Sequence, residues 1–261
     1  MRLALSATLF SLAAPALPQH PLNGTWKSDP AKAQLSARPD VFQVKDGVYS
    51  CQSCVPTAYQ VAADGAFHRV AGRDYWDELA VDASEPDALT LRFRRAGKDV
   101  GSSGLAVSAD GKTLTRTSRS ADNPEGVPID SSATYTRVSP AAAGAHQASG
   151  GWRMAKLGSQ SDAGLTVSYR IEGETVRSTT PTGENYTARI GGPAMPIEGD
   201  PSGLMVKVSQ PEPGRLEEVF MRGDEVQSVL LLTPSPDGRT VTARVTDKRT
   251  GAVTTYTATR Q

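Results

Sequence analysis

The sequence predicts an all-β chain of two tandem antiparallel up-and-down barrels. Three observations predict it: an internal repeat over nearly the whole chain, period-two alternation in almost every segment, and glycine turn signals between segments. At a nearly constant offset, Tyr59 falls on Tyr186, Gly65 on Gly192, Gly72 on Gly199, Leu89 on Leu216, Phe93 on Phe220 and Arg95 on Arg222. Asp110-Gly111 with Thr113 and Thr115 falls on Asp237-Gly238 with Thr240 and Thr242. One residue of slippage lays Gly24-Thr25-Trp26-Lys27 on Gly150-Gly151-Trp152-Arg153, and a gap of six lays Thr134-Tyr135-Thr136 on Thr255-Tyr256-Thr257.

Within each copy the segments read as hairpins. Asp46-Gly47 separates Val41-Phe42-Gln43-Val44 from Val48-Tyr49-Ser50, and Asp-Gly fits the positive backbone angles of tight turns between antiparallel strands. No window keeps helical apolar spacing for three turns, and β-formers dominate stretches such as Thr240-Val241-Thr242-Ala243-Arg244-Val245-Thr246. Turn spacing implies about eight to ten strands per copy. A meander of that size removes its exposed edges by closing into a barrel; an open sandwich or a shared sheet is the alternative. A barrel of about eight strands holds either packed side chains or one small ligand.

Residues 1–16 read as a secretory signal, with Arg2 before an apolar run from Leu3 to Ala14 and small residues at Ala14 and Ala16. No Cys follows that run as a lipid anchor would need, so the expected location is periplasmic or secreted. The rest divides into a first barrel at 17–138, a linker at 139–149 and a second barrel at 150–261. No apolar run is long enough for an integral membrane segment. The 28 basic and 28 acidic residues cancel, which leaves no electrostatic footprint for nucleic acid. In Leu89-Thr90-Leu91-Arg92-Phe93-Arg94 the arginines alternate with apolar residues and are expected on a solvated strand face.

Gly24-x-Trp26 opening the first copy, Gly151-Trp152 opening the second, and Arg137 and Arg260 ending the last strands resemble lipocalin-like barrels. The phrase from Leu22 to Lys32, the Cys51-Gln52-Ser53-Cys54 turn and the Asp-Gly-Lys-Thr hairpin are similar to secreted bacterial proteins with tandem lipocalin-like repeats and no established function. The resemblance implies that an arginine from the closing strand packs on each indole, giving Trp26, Arg137, Trp152 and Arg260 structural roles. In the second copy a glycine directly precedes Trp152 and another stands at Gly150, which leaves the packing there open.

Candidate chemistry is sparse. Cys51 and Cys54 form C-x-x-C beside a turn, with no helix N-terminus to activate a thiol, so a loop-clasping disulfide is expected; thiol exchange or a metal site is the alternative. No metal site is complete, no cofactor motif is present, and no nucleophile elbow, phosphate loop or H-E-x-x-H occurs. His68 corresponds to Met195, which points to an ordinary surface or structural position. Asp74, Tyr75, Trp76, Asp77 and Glu78 form the richest polar-aromatic patch and are expected to rim a barrel mouth. Tyr75 and Trp76, with Tyr59 and Phe67 from the aromatic-rich first copy, are the expected ligand-binding residues for a small apolar ligand. The competing reading is an interaction module with solid barrels that meets a protein of the cell envelope. The insertion Asp122–Pro128 in the first copy's last hairpin is a further candidate for function.

Overall fold

A computed structural model describes residues 19–261; the secretory signal expected at 1–16 lies outside the described residues. The first half carries β1 (Gly24–Gln34), β2 (Asp40–Lys45), β3 (Val48–Cys51), β4 (Tyr59–Ala62), β5 (Phe67–Arg69), β6 (Glu78–Asp82), β7 (Ala88–Arg95), β8 (Lys98–Val107), β9 (Thr113–Ser120) and β10 (Ile129–Ser139). The second carries β11 (Gly150–Gln160), a helical turn at Asp162–Leu165, β12 (Thr166–Glu172), β13 (Thr175–Thr179), β14 (Asn185–Arg189), β15 (Met195–Pro196), β16 (Met205–Ser209), β17 (Leu216–Arg222), β18 (Glu225–Pro234), β19 (Thr240–Asp247) and β20 (Val253–Arg260). They form two nearly closed antiparallel sheets of ten strands each, which are two β-barrels.

The barrels exchange their first strands. One sheet runs β4-β3-β2-β11-β10-β9-β8-β7-β6-β5, the other β14-β13-β12-β1-β20-β19-β18-β17-β16-β15. The strand opening the first copy, β1, therefore lies between β12 and β20 of the second, while β11 lies between β2 and β10 of the first. The division expected at 139–149 does not coincide with the sheets. The first barrel is one continuous meander from β2 to β11, and the second is completed by the chain's N-terminal strand. Trp26 accordingly joins the core of Tyr169, Ile171, Val206 and Leu216, and Trp152 that of Phe42, Leu79, Leu89 and Tyr135.

Each exchanged strand is held by the same arrangement. Arg137 is the register partner of Trp152 and Arg260 of Trp26, with the guanidinium carbons 4.0 and 4.3 Å from the indole centroids. Arg137 donates from Nε to Gly111 O, from Nη1 to Ser149 O and from Nη2 to Gln147 O, at 2.6, 2.6 and 2.7 Å. Arg260 does the same with the carbonyls of Gly238, Asn23 and Pro21. One guanidinium thus ties the indole's lead-in segment to an Asp-Gly turn. The indole Nε1 donates back to Leu22 O or Ala148 O, both at 2.8 Å.

Gly24 and Gly150 adopt φ of 127° and 124°, and an added Cβ would lie 2.5 and 2.8 Å from the arginine Nη1. Gly150 is therefore the counterpart of Gly24, and the second copy keeps Gly-x-Trp after all. Only glycine combines this backbone conformation with so close an approach.

The segment 139–149 is tied down. His146 donates its backbone N–H to Val44 O at 2.8 Å and its Nε2 to Glu85 O at 2.6 Å, while Nδ1 accepts from Ala148 N at 3.1 Å. His20 accepts from Leu22 N in the same way, at 3.2 Å. The insertion at Asp122–Pro128 docks the barrels together: Glu125 N donates to Thr182 O at 3.3 Å, and a Cβ on Gly199 would lie 2.4 Å from Pro124 Cγ. Arg222 pairs with Asp74, and Tyr75 Oη donates to Asp200 Oδ2 at 3.1 Å.

Two predictions follow from these contacts. Thr25 faces Ser168 across the β1–β12 pair, with the hydroxyl oxygens 2.8 Å apart, so Thr25→Cys with Ser168→Cys closes an intrachain disulfide under air oxidation. Thr25→Cys with Val41→Cys does not, because Val41 faces Gly151. Peptide mapping reads the result, and the reverse pairing would rule out the exchange. Separately, Arg137→Ala lowers the stability of the first barrel in urea by about 2 kcal/mol, through lost stacking and unpaired carbonyls, and Arg137→Lys recovers only part because an ammonium cannot span three acceptors.

Candidate functional site

The first barrel encloses a cavity of about 380 Å³ that runs from Trp152 and Leu114 up to Tyr59, Tyr75 and Trp76. Three of the four expected ligand-binding residues meet there. The rings of Tyr59 and Trp76, though not Tyr75, continue a chain through the wall: Phe42 to Tyr49, Tyr59, Trp76 and Phe93, with successive centroids 6.0, 6.1, 5.7 and 5.2 Å apart. Phe67 is the exception. It stands outside the cavity, covered by the guanidinium groups of Arg94 and Arg92 at 3.7 and 5.1 Å. The cause is strand parity: Arg92 and Arg94 alternate with inward-facing Leu91 and Phe93, and Phe67 shares their outer face.

Cys51 and Cys54 form a disulfide with Cα atoms 5.5 Å apart, and both line the cavity. The turn that follows is pinned by Arg73, which donates to Val55 O and Thr57 O while its guanidinium lies 4.5 Å from the Tyr59 ring centroid. The rest of the acidic patch is dispersed: Asp74 pairs with Arg222, and Asp77 accepts from Ala96 N at 3.1 Å. His68 bonds Asp64 at 2.8 Å at the surface.

Asp40, Arg73, Asp74, Arg116 and Arg249 bring charge to this cavity, and Arg116 is the one on the face of a core leucine. It follows Leu114 at a two-residue step on β9, so it shares that leucine's inward face. Nη2 donates to Ser103 Oγ at 3.2 Å, whereas Nε is buried with no hydrogen-bond partner, as is Nε of Arg73 at the rim. Asp40, exposed at the start of β2, also borders the cavity; partial desolvation by its neighbours nudges its carboxyl up, and the positive charges of Arg116 and Arg38 pull it part of the way back. An unpaired buried N–H on a cation is costly, and an anionic oxygen satisfies it best.

The second barrel encloses about 280 Å³ of different character. Glu218 is 2% exposed and accepts from Tyr186 Oη at 2.5 Å. Burial lifts its carboxyl from the ordinary 4.5 to about 7, against the opposing hydrogen bonds of Tyr186 and Tyr169. Burial also pushes the phenols of Tyr169, Tyr186 and Tyr256 upward, with the adjacent Glu218 charge adding to it.

The repeat offset shows how the interiors diverged. Glu218 stands where the first copy has Leu91, Ala243 where it has Arg116, and Val167 where it has Asp40. Leu216, Glu218 and Phe220 share one strand face, so a carboxyl on an apolar face was the signal that marked Glu218. Among the described residues no group of three His, Cys, Asp or Glu side chains is placed to hold a metal ion, and no helix is long and apolar enough to cross a membrane. No protein-family model, curated protein or solved structure matches the chain.

Glu218 makes the second barrel's stability depend on pH. The unfolded carboxyl ionises near 4.5 and the folded one near 7, so between these values the folded state holds the extra proton and stability falls as pH rises. The loss totals roughly 3 kcal/mol and is complete above the folded value. Urea denaturation across this range measures it, and Glu218→Gln flattens the profile; an unchanged slope in that variant would assign the effect elsewhere.

Proposed function

We propose that this chain is an exported binding protein whose first barrel holds a small, largely apolar ligand by an acidic group. The observation that carries this is the 380 Å³ cavity with Arg116 on its wall and the Arg116 Nε unpartnered. Its volume falls in the range of small-molecule sites, which are mostly apolar with a few placed polar groups. The aromatic chain from Phe42 to Phe93 supplies the apolar wall. Tyr75 and Trp76 form the lip, held from the other barrel through Asp200 and through Arg222, whose pairing with Asp74 fixes the adjoining residue. Export rests on the apolar N-terminal run and agrees with a disulfide-bonded chain.

The reading accords with the resemblance to lipocalin-like repeats. A module that meets an envelope protein through solid barrels is the second reading, and an empty interior volume in each barrel weighs against it. For a redox role, the Cys51–Cys54 bond faces the cavity and not a helix terminus.

Calorimetry with decanoate and decanol tests the proposal. Decanoate binds the full chain at one site and more tightly than decanol. Arg116→Met weakens decanoate about 10-fold or more, the worth of a charge-assisted hydrogen bond, and changes decanol about twofold at most. Equal binding of the acid and the alcohol, or an unchanged decanoate affinity in the variant, would overturn it.

A further inference from the structure

The second barrel's interior is not a weaker copy of the first. Its only fully enclosed ionisable side chain other than tyrosine is Glu218, and a second carboxyl, Glu184, stands at its edge with hydrogen bonds to Thr180 and Thr182. Among the described residues no lysine, arginine or histidine lines this cavity. The remaining wall is aromatic and aliphatic, with the rings of Trp26, Tyr169, Tyr186, Phe220 and Tyr256 around the space beside Glu218. Aromatic faces and a carboxylate both attract a positive charge, and both do so more strongly once water is excluded.

From these residues we infer that the second barrel is a separate binding site for a small aryl or alkyl ammonium, its charged nitrogen on Glu218 and its apolar body among the aromatic rings. An isolated carboxylate at this depth is expensive, so below about pH 7 Glu218 holds its proton when no ligand is bound. An incoming ammonium provides the missing counter-charge, and the proton leaves Glu218 to solvent as the ion pair forms. A divalent metal is a poor occupant, because it would demand several oxygen ligands where one enclosed carboxyl is present. A carboxylate ligand is repelled by the same carboxyl once it is ionised, above about pH 7.

The groups facing Glu218 are few. Val208 of β16 and Leu230 of β18 are its register partners. Across the cavity stand Tyr169 of β12, Tyr186 of β14 and Tyr256 of β20, all raised phenols that stay neutral through the working range. Glu184 is the one other carboxyl on the cavity wall. The pH response therefore belongs to Glu218 when it disappears on Glu218→Gln.

The inference does not rest on the first barrel's function, and the experiment separates the two. Phenethylamine, phenylethanol and phenylpropionate are titrated calorimetrically into the full chain at about pH 8 and about pH 5.5, where the amine is a cation throughout. Phenethylamine binds at one site at the higher pH, at least 10-fold more tightly than either analogue, and weakens about 10-fold or more at the lower pH as Glu218 takes up its proton. In buffers of differing ionisation enthalpy near pH 6, binding releases close to one proton per site.

Glu218→Gln, which keeps size and hydrogen bonding, loses at least 10-fold in affinity together with the pH response and the proton release. Arg116→Met leaves all three unchanged. Equal affinity for the alcohol or the acid, or binding that survives Glu218→Gln, overturns the proposal. Circular dichroism of that variant confirms that loss of binding is not loss of fold, and Glu218→Asp, which restores the charge on a shorter arm, recovers part of the affinity.

Discussion

The stacked arginine on each tryptophan is the interaction on which both barrels depend. Each barrel closes around a strand supplied from the other half of the chain, and that strand is joined by main-chain pairing over only a few residues on one side: Gly24–Lys27 against β12, Gly150–Trp152 against β2. Such short pairing needs reinforcement. Arg260 and Arg137 provide it by covering the indole and collecting three carbonyls that the barrel bottom would otherwise leave without donors. The glycine two residues before each tryptophan, with its positive φ, makes room for the guanidinium. Indole, arginine, glycine and Asp-Gly turn form one unit, and it is present in both copies.

With the shell set in this way, the interiors were free to differ. Positions that point inward from the same strand step carry Arg116 in one barrel and Ala243 in the other, or Leu91 and Glu218. A charged residue has large consequences here because desolvation magnifies it: an exposed arginine or glutamate on a strand costs little, but inside a barrel it needs a partner or a change of protonation. The insertion at Asp122–Pro128 has a structural part to play. It seats Pro124 against Gly183 and Gly199 and fixes how the two barrels meet.

Much of this was legible in the residues. Alternation and Asp-Gly pairs mark nearly every hairpin because period-two burial and positive-φ turns are local properties. Tyr59, Tyr75 and Trp76 were legible as a cluster because aromatic residues concentrate at that end of the first copy. Phe67 was not, since β5 is three residues long and parity over so short a strand does not say which face is inward. Arg116 and Glu218 were not singled out from the sequence; their two-residue steps from Leu114 and Leu216 place them on the inner face of β9 and β17. The glycine of the second Gly-x-Trp was hidden by its neighbour Gly151, and only the backbone angle at Gly150 distinguished them.

By itself the sequence determined the strand-and-turn pattern and the duplication; that an arginine of a closing strand packs on each tryptophan came only from the resemblance to lipocalin-like barrels. The pattern and the duplication follow from short-range periodicity, glycine conformation and repeated residue types. The sequence did not determine which tryptophan goes with which arginine. Because the copies are alike, Trp26 meets the same kinds of neighbour in either barrel, and local contacts do not discriminate between them. Only the folded connections decide: His146 binds the 139–149 segment to Val44 and Glu85, which carries β11 into the first barrel and leaves β1 to complete the second.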